Sequence, residues 1–159
     1  MKRVILLFTH LGALFFGFML GIYVLPILTQ PESPSEEMVR SQSNAIVYQG
    51  EFDKNRQDSD FLHWGEGTIS FSADSAIFVG ELAPGPDYKL YLSPTYVETE
   101  ADFMAAKASM LQVGDVKTFD RFLIPLPEQT DLSQYQAAII WCESFGEFIT
   151  SAKLAGMPK

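Results

Sequence analysis

Cysteine is almost missing from these 159 residues: Cys142 stands alone, which excludes an intrachain disulfide framework and a four-cysteine metal site. Histidine is nearly as scarce. Of the two present, His10 lies in an uncharged N-terminal run, so a Ser-His-Asp relay would rest entirely on His63. HExxH, the phosphate-cradling GxxxxGK[ST] and the dinucleotide GxGxxG are absent. The two glycines of Trp64-Gly65-Glu66-Gly67 precede a strand rather than open a helix, and read as bulge or turn positions. Positive charge is also in short supply. Beyond position 29 there are 9 basic and 20 acidic residues, a net charge of −11, which repels phosphate backbones and argues against nucleic acid as a partner. No internal repeat of 20–50 residues is visible.

What the chain does have is an uncharged run of 25 residues, Val4 to Leu28, against the roughly 20 that a helix needs to cross a bilayer. Lys2 and Arg3 precede it, while Glu32, Glu36 and Glu37 follow before the first base at Arg40. That asymmetry predicts a single-pass inner-membrane anchor over 1–29, with Met1 to Arg3 cytoplasmic and Gln30 to Lys159 outside, in the periplasm. A cleaved signal peptide is the rival, but no small-x-small site follows the run. Gly17 and Gly21 form a GxxxG pair suited to helix-mediated dimerisation, although glycine is common in membrane helices in any case. His10 is an intramembrane ionisable group near the cytoplasmic end, where a neutral imidazole can simply snorkel.

Residues 30–44 are rich in Pro, Ser and Glu without apolar periodicity and read as a linker. From Ala45 to Lys159 short apolar runs alternate with turn residues, the pattern of a mainly β domain built as an antiparallel sandwich. Thr68 to Ser72 and Ala76 to Val79 flank the turn Ala73-Asp74-Ser75. Tyr88 to Leu92 follows the turn residues Pro84-Gly85-Pro86-Asp87. One segment departs from this rhythm: Thr99 caps an acidic first turn, and Phe103, Ala106, Met110 and Leu111 fall at helical spacing, predicting one helix from Ala101 to Leu111 ended near Gly114. Val116 to Ile124 reads as a strand and Asp131 to Tyr135 as a loop or single turn. Ala137 to Cys142, apolar on both faces, reads as a central strand followed by Glu147 to Ala152.

Cys142 lies at the end of that central strand. A buried free cysteine behaves as a small hydrophobe, but the thiol follows Trp141 where polar residues begin and could be reached from outside. Glu143 and Glu147 would raise its pKa. His63 sits between a polar loop and the first clear strand. Asp87, after Gly85-Pro86, is a natural acceptor of backbone hydrogen bonds in a turn.

Four pieces of the chain resemble the DM-thirteen domain, known from animal Skeletor-type proteins beside DOMON domains and from bacterial membrane-anchored proteins. They are Gly50-Glu51-Phe52, His63 with Gly67, Gly85-Pro86-Asp87-Tyr88-Lys89-Leu90-Tyr91-Leu92-Ser93, and Asp131 to Tyr135 leading into Ile139-Ile140-Trp141-Cys142-Glu143-Ser144-Phe145 and Ala152-Lys153-Leu154. The stretch from Pro94 to Phe122 departs from the family pattern. The resemblance implies a β-sandwich concerned with electron transfer or redox modification, with Cys142 as its redox thiol; the residues read as candidates to support that thiol are Trp141, His63, Asp87 and Tyr91. The expected function is therefore a redox module that meets a protein partner at the cell envelope. The alternative is a non-catalytic binding or assembly module with a structural cysteine. No cofactor can be named; haem, as in some DOMON relatives, has only one exported histidine and a few methionines to hold it.

Overall fold

The computed structural model describes residues 1–42 and 45–157; the end of the expected linker (43 and 44) and the last two residues lie outside that range. The uncharged run forms helix α1 (Lys2–Thr29), whose residues are all unburied and which is long and apolar enough to cross a membrane. His10 Nδ1 is 2.7 Å from the Leu6 carbonyl, so the ring's N–H is satisfied by the helix itself.

Residues 30–42 carry more structure than their composition predicts. Ser35 accepts a hydrogen bond from the Met38 amide at the start of a short helix, α2 (Glu36–Gln42), whose acidic first turn and Arg40 in the last turn both suit the helix dipole. Its Val39 is buried, Ser33 Oγ donates to Asp120, and Glu36 lies 3.6 Å from Arg121. The segment is thus docked on the domain rather than running free.

The domain is an antiparallel sandwich. One sheet has the order β6-β3-β2-β1-β9, built from β1 (Tyr48–Phe52), β2 (Gly65–Phe71), β3 (Ser75–Leu82), β6 (Arg121–Pro125) and β9 (Ala155–Gly156). The other has the order β5-β4-β7-β8, from β4 (Tyr88–Ser93), β5 (Leu111–Val116), β7 (Ala137–Cys142) and β8 (Glu147–Lys153). The β2–β3 turn forms where expected, with Asp74 accepting from the hydroxyls of Ser72 and Ser75 at 2.7 and 3.1 Å. Gly67 explains how closely these two strands pass: at φ +129° a Cβ there would stand 2.5 Å from the Gly80 Cα.

Two expectations need correction. The helix, α3 (Glu100–Ala106), is capped by Thr99 as predicted but passes into a 3-10 turn at Lys107–Ser109, so it does not reach Leu111. Leu111 and Gly114 belong to β5, which supplies hydrogen bonds to β4 and faces Val113 and Val116 into the core; this pairing overrides the helical spacing. Val116 to Ile124 is not one strand either. The chain leaves one sheet at Val116 and joins the other at Arg121, with 117–120 as the crossing.

Alternation along β7 creates two apolar layers. Ala138, Ile140 and Cys142 face the space between the sheets, with Ile69, Phe71, Phe78, Tyr88 and Leu90 among their neighbours there. Ala137, Ile139 and Trp141 face outward beneath α3, with Phe103, Tyr91 and Phe148. The register also gathers the loops. Gly65 pairs with Leu82 at one end of the first sheet, and Tyr88 with Cys142 and Cys142 with Glu147 at one end of the second. Because 83–87 and 117–120 join these ends, loops 53–64, 83–87, 117–120 and 143–146 share one pole. Along the flank of β8, Arg56 Nε donates to the Ser151 carbonyl at 2.9 Å and Ser59 Oγ to the Ile149 carbonyl at 2.7 Å.

Candidate functional site

Cys142 is the last residue of β7 and is a free cysteine, 2% exposed. The expectation of a reachable thiol is therefore corrected: inward alternation places it in the inter-sheet core, below two loops that are bonded to each other. The Glu143 amide donates to the Asp87 carbonyl at 3.0 Å, and Ser144 Oγ donates to Asp87 Oδ2 at 2.9 Å. Lys89 completes the tie, 2.8 Å from Asp87 and 2.9 Å from Asp115, and its hydrogen bond holds the Asp87 carboxyl below its ordinary pKa. Asp87 thus finds its partners in side chains of β4 and the 143–146 loop. Gly85 is needed at the start of this arch, since a Cβ there would lie 2.3 Å from the Tyr88 ring.

Burial pushes the Cys142 thiol above its usual pKa and the Asp87 charge adds to the rise, while backbone amides of Phe145, Asp87 and Ser144 pull the other way. Glu143 and Glu147 are not what raises it, contrary to expectation. Glu143 belongs to the opposite face, and Glu147 is engaged with Glu100: burial and then the hydrogen bond with Glu100 raise its own carboxyl. The Tyr88 hydroxyl, across the ladder, is raised by burial and next by Cys142. The thiol is consequently held neutral, and thiolate chemistry requires the 83–87 and 143–146 loops to part.

On the other face of the same strand, Trp141 stacks on Phe103 with ring centroids 4.0 Å apart and 11° between planes, and Tyr91 meets Phe103 edge-on at 5.2 Å. Lys107 Nζ lies 5.6 to 5.9 Å from these three rings and 2.7 and 2.8 Å from the Glu143 carboxylate oxygens. The Tyr91 hydroxyl donates to Glu143, with Gln112 Oε1 at 3.0 Å. Burial raises Tyr91, as does that hydrogen bond. For Glu143 burial acts upward, but the bonds from Lys107 and Tyr91 outweigh it and the carboxyl ends below its ordinary value.

Tyr91, Trp141 and Glu143 therefore meet on one face, while Cys142 and Asp87 belong to the pole beside it. His63 lies on the 53–64 loop of that same pole and bonds within its own loop. Its Nδ1 is 3.2 Å from the Asp60 carboxylate, whose Oδ1 also accepts from the Leu62 and His63 amides at 2.7 Å. Sequence reasoning passed over Lys107 and the Ser144–Asp87 bond; Phe103 it read only as a core position. Among the described residues, no group of three or more His, Cys, Asp and Glu is placed to hold a metal ion. Gly17 and Gly21 line a cleft of about 670 Å³ that the anchor shares with Pro86, Ser144 and Phe145.

The family model described as electron transfer DM13 matches residues 51–154, about two thirds of the chain. The chain belongs to the DM13 family. The matched region runs from β1 to the end of β8 and contains both faces of β7, so the thiol and the aromatic cluster alike fall within the DM13 domain. No curated protein and no solved structure matches the chain.

Proposed function

We propose that this DM13 chain is a membrane-anchored redox module on the outer side of a bacterial inner membrane, with Cys142 as its reacting atom. The observation that carries the reading is that the only thiol of an electron-transfer family domain lies beneath two loops held together by Asp87, at the pole nearest α1. Opening of those loops exposes Cys142, which loses its proton to water and attacks one sulfur of a partner protein's disulfide. A mixed disulfide forms and the partner's other sulfur leaves as a thiolate that takes up a proton. With no second cysteine in the chain, resolution falls to another thiol of the partner.

The test is Cys142→Ser in the full chain, with membranes quenched in acid and separated without reductant. A covalent adduct present in the native chain and lost in the serine variant is expected; a native chain that stays fully reduced while remaining biologically active would overturn the reading. Burial and the raised thiol pKa favour a second reading, a binding module in which Cys142 only fills space between the sheets. Complete resistance of the folded protein to alkylation, together with full activity of the serine variant, selects it.

A further inference from the structure

The loop pole is also the anchor's pole. Pro26, Thr29, Gln30 and Pro31 lie beside Gly85, Pro86, Lys117 and Phe119, and the Ser33–Asp120 and Glu36–Arg121 contacts leave only three residues between the end of α1 and the first point of attachment. A domain so attached does not sample a wide volume above the membrane.

Two further observations give this pole an occupant. Phe145, at the tip of the 143–146 loop, is 54% exposed, and Phe61 and Leu62 on the neighbouring loop are 84% and 36% exposed. The wall facing Phe145 across the 670 Å³ cleft is the stripe Gly17, Gly21, Leu25 and Thr29, with Phe18 and Ile22 beside it. The 28 residues of α1 rise about 42 Å, whereas a hydrocarbon core of about 30 Å takes up about 20 of them. With Lys2 and Arg3 at the inner interface, the outer interface falls near Tyr23, a residue type that favours that level. The cleft's helical wall then straddles the outer interface: Gly17, Phe18, Gly21 and Ile22 fall at the level of the acyl chains, Leu25 and Thr29 beyond it, and the medium beside the deeper half of the wall is lipid.

We infer that the Phe145 loop is a lipid-seated element, its ring inserted among the acyl chains of the outer leaflet alongside α1. The inference rests on α1 being a membrane anchor, as proposed above. It makes the pole over Cys142 a membrane-facing surface, and it gives the Gly17/Gly21 stripe a role in clearing space for acyl chains next to Phe145 rather than in holding a second helix.

The test uses the full chain in phosphatidylcholine nanodiscs. Cys142→Ser removes the only native thiol, and nitroxides are then placed singly by Phe145→Cys, by Leu14→Cys in mid-span and by Glu128→Cys at the exposed far pole. Relaxation enhancement by oxygen and by a water-soluble nickel chelate reports the medium around each label. The ratio of oxygen to nickel effect at position 145 is expected to resemble that at 14 and to exceed that at 128 severalfold. A ratio at 145 equal to that at 128, with 14 in lipid, overturns the inference and leaves the anchor intact; a nickel-accessible label at 14 sinks the anchor itself. Dipolar broadening between labels at 145 would mean a second copy occupies the site, again overturning it. Should Cys142→Ser misfold, Phe145→Trp with Cys142 retained is read by quenching with brominated phosphatidylcholine. Extra quenching over the background of Trp64 and Trp141 supports lipid seating, and its absence refutes it.

Discussion

The two faces of β7 differ in what they allow a polar group to do. Inward, Cys142 is enclosed by hydrocarbon and tied loops, with the Asp87 charge acting on it from the tether, and burial drives its thiol to the neutral form. Outward, Trp141 is as deeply buried, yet the rim above it holds a lysine, a carboxylate and a phenol in one hydrogen-bonded set. A single strand thus separates a place where charge is excluded from one where it is paired. The contrast teaches that burial alone does not set reactivity; the partners at the edge of the buried layer do.

The strongest way to break the comparison is to remove its outward anchor. Trp141→Ala deletes the ring stacked on Phe103 and is expected to cost about 3–5 kcal/mol, enough to unfold a domain of ordinary stability, as measured by urea denaturation of the full chain in mild detergent. On the inward face, Cys142→Asp places an unpaired carboxylate in the core and should cost several kcal/mol, whereas Cys142→Ser should cost only about 1–3 kcal/mol. Equal losses for the two would show that the inward face is wetter than its packing implies.

The next prediction sharpens the contrast through pH. Because the Glu143 carboxyl lies below its ordinary value when folded, its pairing stabilises the protein above about pH 4.3 and is lost as pH falls through the lower folded value. Partial exposure limits this to about 1 kcal/mol. Glu143→Gln should therefore flatten the acid limb of the stability profile. The Cys142 thiol, raised when folded, behaves oppositely: its contribution is complete below the unfolded value near 8.5 and fades as pH climbs toward the folded one. The smallest effect concerns rate. Alkylation of folded Cys142 should stay slow through pH 8 and quicken only in stronger base or under mild denaturant, and brisk labelling at neutral pH would contradict the closed pole.

The strands that carry the site were largely legible because their signals are local. Ala137 to Cys142 is an unbroken apolar run, Thr68 to Ser72 alternates, and the turn before Tyr88 is written in proline, glycine and aspartate. β1 escaped notice since Tyr-Gln-Gly-Glu-Phe is short, half polar and interrupted by glycine, and β9 is only two residues long. β5 was hidden by Ala106, Met110 and Leu111, whose spacing suits a helix until β4 requires a neighbour. Cys142, Trp141 and Tyr91 stood out through the family motifs. Lys107 did not, because its ion pair with Glu143 spans 36 residues of sequence and lies in the segment that departs from the family pattern.

The bonds that Arg56 and Ser59 make along β8 bear on how copies of this chain meet when crowded. Crowded chains collide often, and an open strand edge is a template on which a neighbour's strand can polymerise. Here the outward carbonyls of Ile149 and Ser151 are already occupied by side chains of the chain's own 53–64 loop. A neighbour's strand arriving at the β8 border therefore finds two of the carbonyls it would need taken by the chain's own loop, so ladder growth from that border is hindered.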